Sequence, residues 1–104
     1  MQTLESIDVK AMRRKAEEAV SLLRALSNEA RLVVLCELVG RERSAGELVA
    51  CSGLSQLALS QHLAKLREEG LVTTRRDGVN VYYRLTHPKA ARLLATLQEI
   101  YCRK

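Results

Sequence analysis

The sequence predicts a mainly α-helical fold with a single β-hairpin, and three observations lead to this prediction. Apolar residues recur at helical spacing over most of the 104 residues. Between residues 71 and 85 the pattern changes to two β-rich runs joined by Asp77–Gly78, a dipeptide typical of hairpin turns. Residues that cap or end helices divide the helical stretches into separate segments. The expected order is four helices, the hairpin and a fifth helix.

Length and composition exclude several classes of protein. A chain of 104 residues with 47% hydrophobic and 28% charged residues is expected to form one folded domain. No apolar run approaches the ~20 residues of a membrane helix, and the first residues lack the apolar stretch of a signal peptide. We therefore expect a cytoplasmic protein that does not bind membranes. Three cysteines cannot pair evenly within one chain, so we expect no disulfide framework, and the small size of the chain favours a homodimer.

The first two helices follow from apolar spacing and from capping residues. Residues 1–9 are expected to form an N-terminal arm, and residues 10–26 a first helix. Ser27 is the expected N-cap of a second helix over about residues 28–39. Gly40 is expected to end that helix.

Residues 44–69 have the pattern of a short helix and a longer helix joined by a tight turn. Ser44 and Glu47 have the spacing of a capping box at the start of the short helix. The turn contains Gly53, and Ser55 is the expected cap of the longer helix. Two helices joined in this way form a helix-turn-helix.

The polar face of the longer helix carries hydroxyls, amides and one cation, which suit base edges and phosphates. The candidate DNA-binding residues on this helix are Ser55, Gln56, Ser60, Gln61, His62 and Lys65. An ordinary solvated helix face is the alternative interpretation.

The hairpin over residues 71–85 adds a basic projection next to this helix. Arg75, Arg76 and Asn80 flank its turn and are further candidate DNA-binding residues. A recognition helix followed directly by a basic hairpin is a winged helix-turn-helix. Its helix enters the major groove while the wing reaches phosphate or the minor groove. Pro88 is expected to open the final helix, over residues 88–102.

Residues 55–72, which read SQLALSQHLAKLREEGLV, resemble the recognition-helix signature of the ArsR-type winged-helix repressors. Residues 26–32, 76–78 and 81–85 resemble other parts of the same family. The resemblance extends from about residue 20 to the C-terminus. It implies that residues 1–104 form one winged helix-turn-helix domain. It also implies a homodimer, joined through its final helix, that represses transcription at a palindromic double-stranded DNA operator until an inducer acts.

The two metal sites known in the family are incomplete in this chain. One site needs Cys-x-Cys where this sequence has only Cys51, and the other needs His residues on the final helix, which has none. One thiolate cannot complete the three- or four-ligand shell of a soft metal. We therefore expect no metal and no other cofactor. A non-standard metal site that combines Cys51 with His87 across the dimer is an alternative.

Cys36 on the second helix and Cys102 on the final helix resemble the dithiol branch of the family, which senses persulfide and polysulfide. The resemblance implies that reactive sulfur links the two thiols and lowers operator affinity. A direct disulfide needs Cα atoms within about 7 Å, whereas a bridge with added sulfur reaches further. We expect Arg31, Arg103 or Lys104 to lower a thiol pKa.

Three other interpretations stay open at this point. Each cysteine alone is compatible with a small core residue, and the pair is compatible with general thiol-redox sensing. A purely structural dimer module is the third possibility. Catalysis is not expected, because the sequence has no Ser–His–Asp, Cys–His or paired-carboxylate constellation.

Overall fold

The computed structural model describes residues 6–102, which form five helices and a three-stranded antiparallel sheet. The helices are α1 (Val9–Leu26), α2 (Glu29–Glu37), α3 (Ala45–Ser52), α4 (Gln56–Glu68) and α5 (Pro88–Cys102). The strands are β1 (Arg43–Ser44), β2 (Val72–Asp77) and β3 (Asn80–Leu85). The predicted mainly helical architecture with a hairpin wing is confirmed. Of the expected N-terminal arm, residues 1–5 lie outside the described residues, and α1 already begins at Val9.

Side-chain caps fix the starts of the two helices of the helix-turn-helix. The Glu47 amide donates to the Ser44 hydroxyl at 3.1 Å, and the Ser44 amide donates to Glu47 Oε1 at 2.8 Å. This reciprocal pair is the predicted capping box. Ser55 caps α4 by accepting the Ala58 amide at 3.1 Å, also as predicted. Gly53 ends α3 with a φ of 72°, a left-handed conformation that suits glycine.

The start of α2 differs from the prediction by one residue. Asn28, rather than Ser27, is the N-cap, since its Oδ1 accepts the Arg31 amide at 3.0 Å. Ser27 instead ends α1, and its hydroxyl donates to the Arg24 carbonyl at 3.1 Å. Only Ser27 and Asn28 connect α1 to α2, so these two neighbouring residues cap two different helices.

The sheet has the strand order β1–β3–β2. In the hairpin Asp77 pairs with Asn80, so the turn residues are Gly78 and Val79 rather than the predicted Asp77–Gly78. Gly78 has a φ of 64°, and Val79 does not have a positive φ. This pattern is typical of a type II′ turn, which places Gly at its first central position. The sequence did not predict β1, which adds Arg43 and Ser44 to the other side of β3.

The core is aliphatic, as the near absence of aromatic residues predicts, and it orients the recognition helix. Leu59, Leu63 and Leu66 turn one face of α4 inward, so the opposite face points to solvent. None of the helices in residues 6–102 is long and apolar enough to cross a membrane. The buried residues are Ala25, Leu26, Val34, Leu35, Leu38, Leu48, Leu59, Leu63, Leu66, Leu71, Val72, Ala90 and Leu94.

Candidate functional site

Most of the candidate DNA-binding residues of α4 lie on its exposed surface. His62 is the exception, because it is half-buried. Gln61 is exposed on the side of α4 that lies away from the core-facing Leu59 and Leu63. The Ser55 hydroxyl already accepts the hydrogen bond of the helix cap. The exposed candidates are Ser55, Gln56, Ser60, Gln61 and Lys65.

Two of these exposed residues border a small cavity beside the recognition helix. Gln56 and Ser60 line a cavity of about 230 Å³ together with Ala45 of α3 and Tyr83 of β3. The side of α4 that carries Gln56 and Ser60 therefore faces the start of α3, whereas Gln61 does not line this cavity. The polar surface of α4 thus has an outermost face and a flank next to α3.

The wing carries two neighbouring arginines in different environments. Arg75 Nη2 donates to Glu42 Oε1 at 2.8 Å, and Arg75 Nε donates to Glu42 Oε2 at 3.1 Å. Its guanidinium also lies 4.6 Å from the centre of the Tyr82 ring. This hydrogen bonding from Arg75 lowers the pKa of the Glu42 carboxyl. The paired guanidinium of Arg75 is therefore less available to a phosphate than the sequence indicates.

Arg76 is the more available cation of the wing. Its side chain is exposed, and within the described part of the chain it forms no ion pair. Asn80, the third candidate in the wing, is also exposed and lies opposite Asp77 in the hairpin. The hairpin therefore presents one unpaired cation and one amide close to its turn.

A chain of ion pairs joins the end of α2 to the start of α3. Glu37 Oε1 contacts Arg41 at 2.8 Å and Arg43 at 3.0 Å, and Arg43 also contacts Glu47 at 3.5 Å. We did not predict this network from the sequence, although the spacing of four residues within two of its pairs was a usable signal. Because Glu37 directly follows Cys36, the network connects the thiol region to the helix-turn-helix.

Cys36 on α2 and Cys102 on α5 are both free cysteines with exposed thiols. Partial burial raises the pKa of Cys36, and the negative charges of an ionised Cys102 and of Glu37 raise it further. The expected lowering of the pKa by Arg31 is therefore wrong for Cys36, because burial and then the negative charges of Cys102 and Glu37 raise this pKa. The other two basic residues expected to act, Arg103 and Lys104, lie outside the described residues.

The remaining cysteine and His87 have local partners. The Cys51 thiol donates to the Leu48 carbonyl at 3.6 Å, and burial raises the pKa of Cys51. His87 Nδ1 accepts the Ala90 amide at 3.2 Å, so this nitrogen caps the start of α5. Residues 6–102 contain no group of three or more His, Cys, Asp or Glu side chains arranged to hold a metal ion. A site that joins Cys51 and His87 across a dimer stays a prediction.

Known proteins resemble this chain in sequence and in fold. Residues 28–74 match the family described as bacterial regulatory protein, arsR family. The chain is 43% identical over 96 residues to the transcriptional activator HlyU of Vibrio cholerae, covering 92% of this chain and 89% of HlyU. It is 44% identical over 88 residues to the HTH-type transcriptional regulator YgaV of Escherichia coli, covering 84% of this chain and 89% of YgaV.

The structural similarity covers nearly the whole molecule. The crystal structure of the transcriptional repressor BigR from Xylella fastidiosa matches with a TM-score of 0.88 and 43% sequence identity. The match covers 94% of this chain and 100% of the BigR chain. The winged-helix architecture predicted from the sequence is thus confirmed by a similar structure as well as by this one. The chain belongs to the arsR family of bacterial regulatory proteins and is a helix-turn-helix transcriptional regulator.

Proposed function

We propose that this protein is a homodimeric repressor whose affinity for a palindromic DNA operator falls when reactive sulfur links Cys36 to Cys102. The observation that carries this proposal is a pair of free, exposed thiols, Cys36 on α2 and Cys102 on α5. The pKa of Cys36 supports the pairing, because the charge of Cys102 contributes to its increase and charges act most strongly at short range. Repression is the activity named for the similar BigR protein, whereas HlyU is named as an activator.

The bridging reaction balances when inorganic trisulfide is the oxidant. One cysteine thiolate attacks a sulfur atom of HS–S–SH, so that one S–S bond forms, another breaks and hydrogen sulfide leaves. The product is Cys–S–S–SH, and the second thiolate attacks its middle sulfur and displaces a second hydrogen sulfide. Two thiols and one trisulfide thus give Cys–S–S–S–Cys and two hydrogen sulfides. The thiols are oxidised by two electrons, and the trisulfide is reduced by the same two.

The exposed apolar surface supports a dimer joined through α1 and α5. On α1 Met12, Val20 and Leu23 are exposed, and on α5 Ile100 and Tyr101 are 64% and 79% exposed. Covering such a surface with a second copy removes apolar area from water. A sulfur bridge would tie α2 to α5 and so alter this contact. Since dimers read successive major grooves about 34 Å apart, a small change in the spacing of the two α4 helices weakens binding.

The ion pairs at the end of α2 provide a second route from the thiols to DNA. Cys36 precedes Glu37, whose carboxylate holds Arg41 and Arg43. Arg43 belongs to β1, which pairs with the wing strand β3. A displacement of Cys36 is therefore transmitted to the wing and to the start of α3.

The experiment that tests this function measures operator binding before and after polysulfide treatment. Duplexes that the reduced protein enriches from a random pool serve as the DNA probe, and fluorescence anisotropy gives the Kd. We expect inorganic trisulfide to weaken binding and dithiothreitol to restore it. An unchanged Kd contradicts the proposal. Parallel treatments with peroxide, glutathione disulfide, zinc, cadmium and arsenite separate the general redox and metal alternatives.

Removing the charge of Arg76 should weaken binding to all DNA sequences alike. An Arg76→Ala change removes an unpaired cation at the wing, so fewer counterions are released on binding. We expect the slope of log K against log salt to become shallower by about 0.9 for each lost phosphate contact. Arg75→Ala is the matched control and should have a smaller effect, because Glu42 already pairs with Arg75. An Arg76→Ala protein with the wild-type salt slope rules out this phosphate contact.

The rate of sulfur bridge closure through Cys36 should increase with pH. The raised pKa keeps the Cys36 thiol protonated at neutral pH, and only the thiolate is nucleophilic. Below that pKa the thiolate fraction, and with it the rate, rises about tenfold per pH unit. Rapid acid quenching followed by mass spectrometry measures the rate. A Cys36→Ser protein treated in parallel shows the modification that belongs to Cys102 alone, and a bridge-closure rate that does not increase with pH contradicts this prediction.

A further inference from the structure

Leu57 is an exposed leucine near the start of the recognition helix, where the other exposed candidates are polar. Its side chain is 70% exposed, and it is absent from both the core and the residues packed against the core. We propose that Leu57 is a specificity residue that contacts the C5-methyl group of a thymine in the operator. This inference rests on the proposed function, because it requires α4 to lie in the major groove.

The position of Leu57 on α4 carries the inference. Leu57 is the second residue of the helix, and the N-terminal residues of a recognition helix contact base edges. Gln61 follows four residues later and so lies on the same side of the helix. The core-facing Leu59 and Leu63 occupy the opposite side. Leu57 and Gln61 therefore form adjacent positions on the outermost face of α4.

The chemistry of the major groove selects the base that this side chain can recognise. Each base pair presents hydrogen-bond donors and acceptors there, and thymine adds a methyl group. Leucine cannot form a hydrogen bond with its side chain, but it can bury that methyl group. Single exposed leucines are common on protein surfaces, so the location at the base-reading end of α4 is what distinguishes Leu57. Helix stability does not require a leucine there, since alanine is the better helix former.

The test compares thymine with deoxyuridine, which differs only by the missing methyl group. A duplex enriched from a random pool by the wild-type protein is resynthesised with one thymine at a time replaced, in the same place in both half-sites. At one thymine position we expect wild-type binding to weaken about fourfold per half-site, the factor for one buried methyl group. The Leu57→Ala protein should bind the thymine and uracil duplexes equally. Leu57→Met, which keeps an apolar side chain, should restore discrimination.

A matched control uses the exposed apolar residue of the wing. Val79 is 94% exposed at the hairpin turn, and Val79→Ala should leave discrimination at the Leu57-dependent thymine unchanged. If no thymine shows the effect, or if Leu57→Ala discriminates as the wild type does, the inference is overturned while operator binding still stands. If the wild-type protein enriches no duplex at all, both the operator-binding proposal and this inference are overturned.

Discussion

A protein in which Cys36 or Cys102 is replaced with Ser should stay bound to its operator after polysulfide treatment. The wild-type protein should be released, because a bridge between α2 and α5 needs a sulfur atom at both ends. An effector at one site commonly changes the affinity of another site about 5- to 150-fold. We therefore expect the operator affinity of the wild-type protein to fall by a factor within this range. Fluorescence anisotropy with and without inorganic trisulfide measures the change.

Cys51→Ser is the matched control for these two variants. Cys51 is also an exposed cysteine, but its thiol donates to the Leu48 carbonyl of its own helix. We expect this variant to be released from DNA as the wild type is. Release of the Cys36→Ser or Cys102→Ser protein, or retention of the Cys51→Ser protein, would show that a different thiol operates the switch.

A Leu48→Ala change should cause a large loss of stability in the helix-turn-helix. Leu48 is the fully buried residue of α3, with 0% exposure, so its loss leaves a cavity beside α4. Changes of this kind cost about 2–5 kcal/mol of unfolding free energy, out of a total of about 5–15 kcal/mol for a small domain. Urea denaturation followed by circular dichroism measures the loss.

Leu57→Ala provides the comparison for Leu48→Ala, because it makes the same chemical change on the neighbouring helix. The Leu57 side chain is largely exposed, so its truncation should alter the unfolding free energy by less than about 0.5 kcal/mol. Equal losses for the two variants would contradict the assignment of Leu48 to the core and of Leu57 to the surface.

Much of the fold could be predicted because its signals are local. The capping box at Ser44, the cap at Ser55 and the hairpin near Gly78 each depend on a few adjacent residues. Strand β1 could not be predicted in this way, since two residues carry no periodicity and their strand character comes from pairing with β3. The misplaced cap at Ser27 has a similar cause, because Ser27 and Asn28 are both good capping residues.

Helical periodicity predicted which side chains of the candidate site are exposed. It could not predict contacts between residues that are distant in the sequence. Periodicity placed Gln61 on the outer face of α4, but it could not show that Arg75 pairs with Glu42, 33 positions earlier. Sequence periodicity also could not predict whether the pKa of Cys36 is raised or lowered. The direction of this shift depends on burial and on the charges of Cys102 and Glu37, and the contribution of Cys102 exists only in the folded chain.

The intact mass of the wild-type protein after treatment with inorganic trisulfide tests the sulfur bridge most directly. We predict a gain of one sulfur atom and a loss of two hydrogen atoms, with proteolysis showing the added sulfur between the peptides that contain Cys36 and Cys102. Dithiothreitol should return the original mass. A mass that shows only separate persulfides, or a bridge that includes Cys51, would contradict a switch built on Cys36 and Cys102.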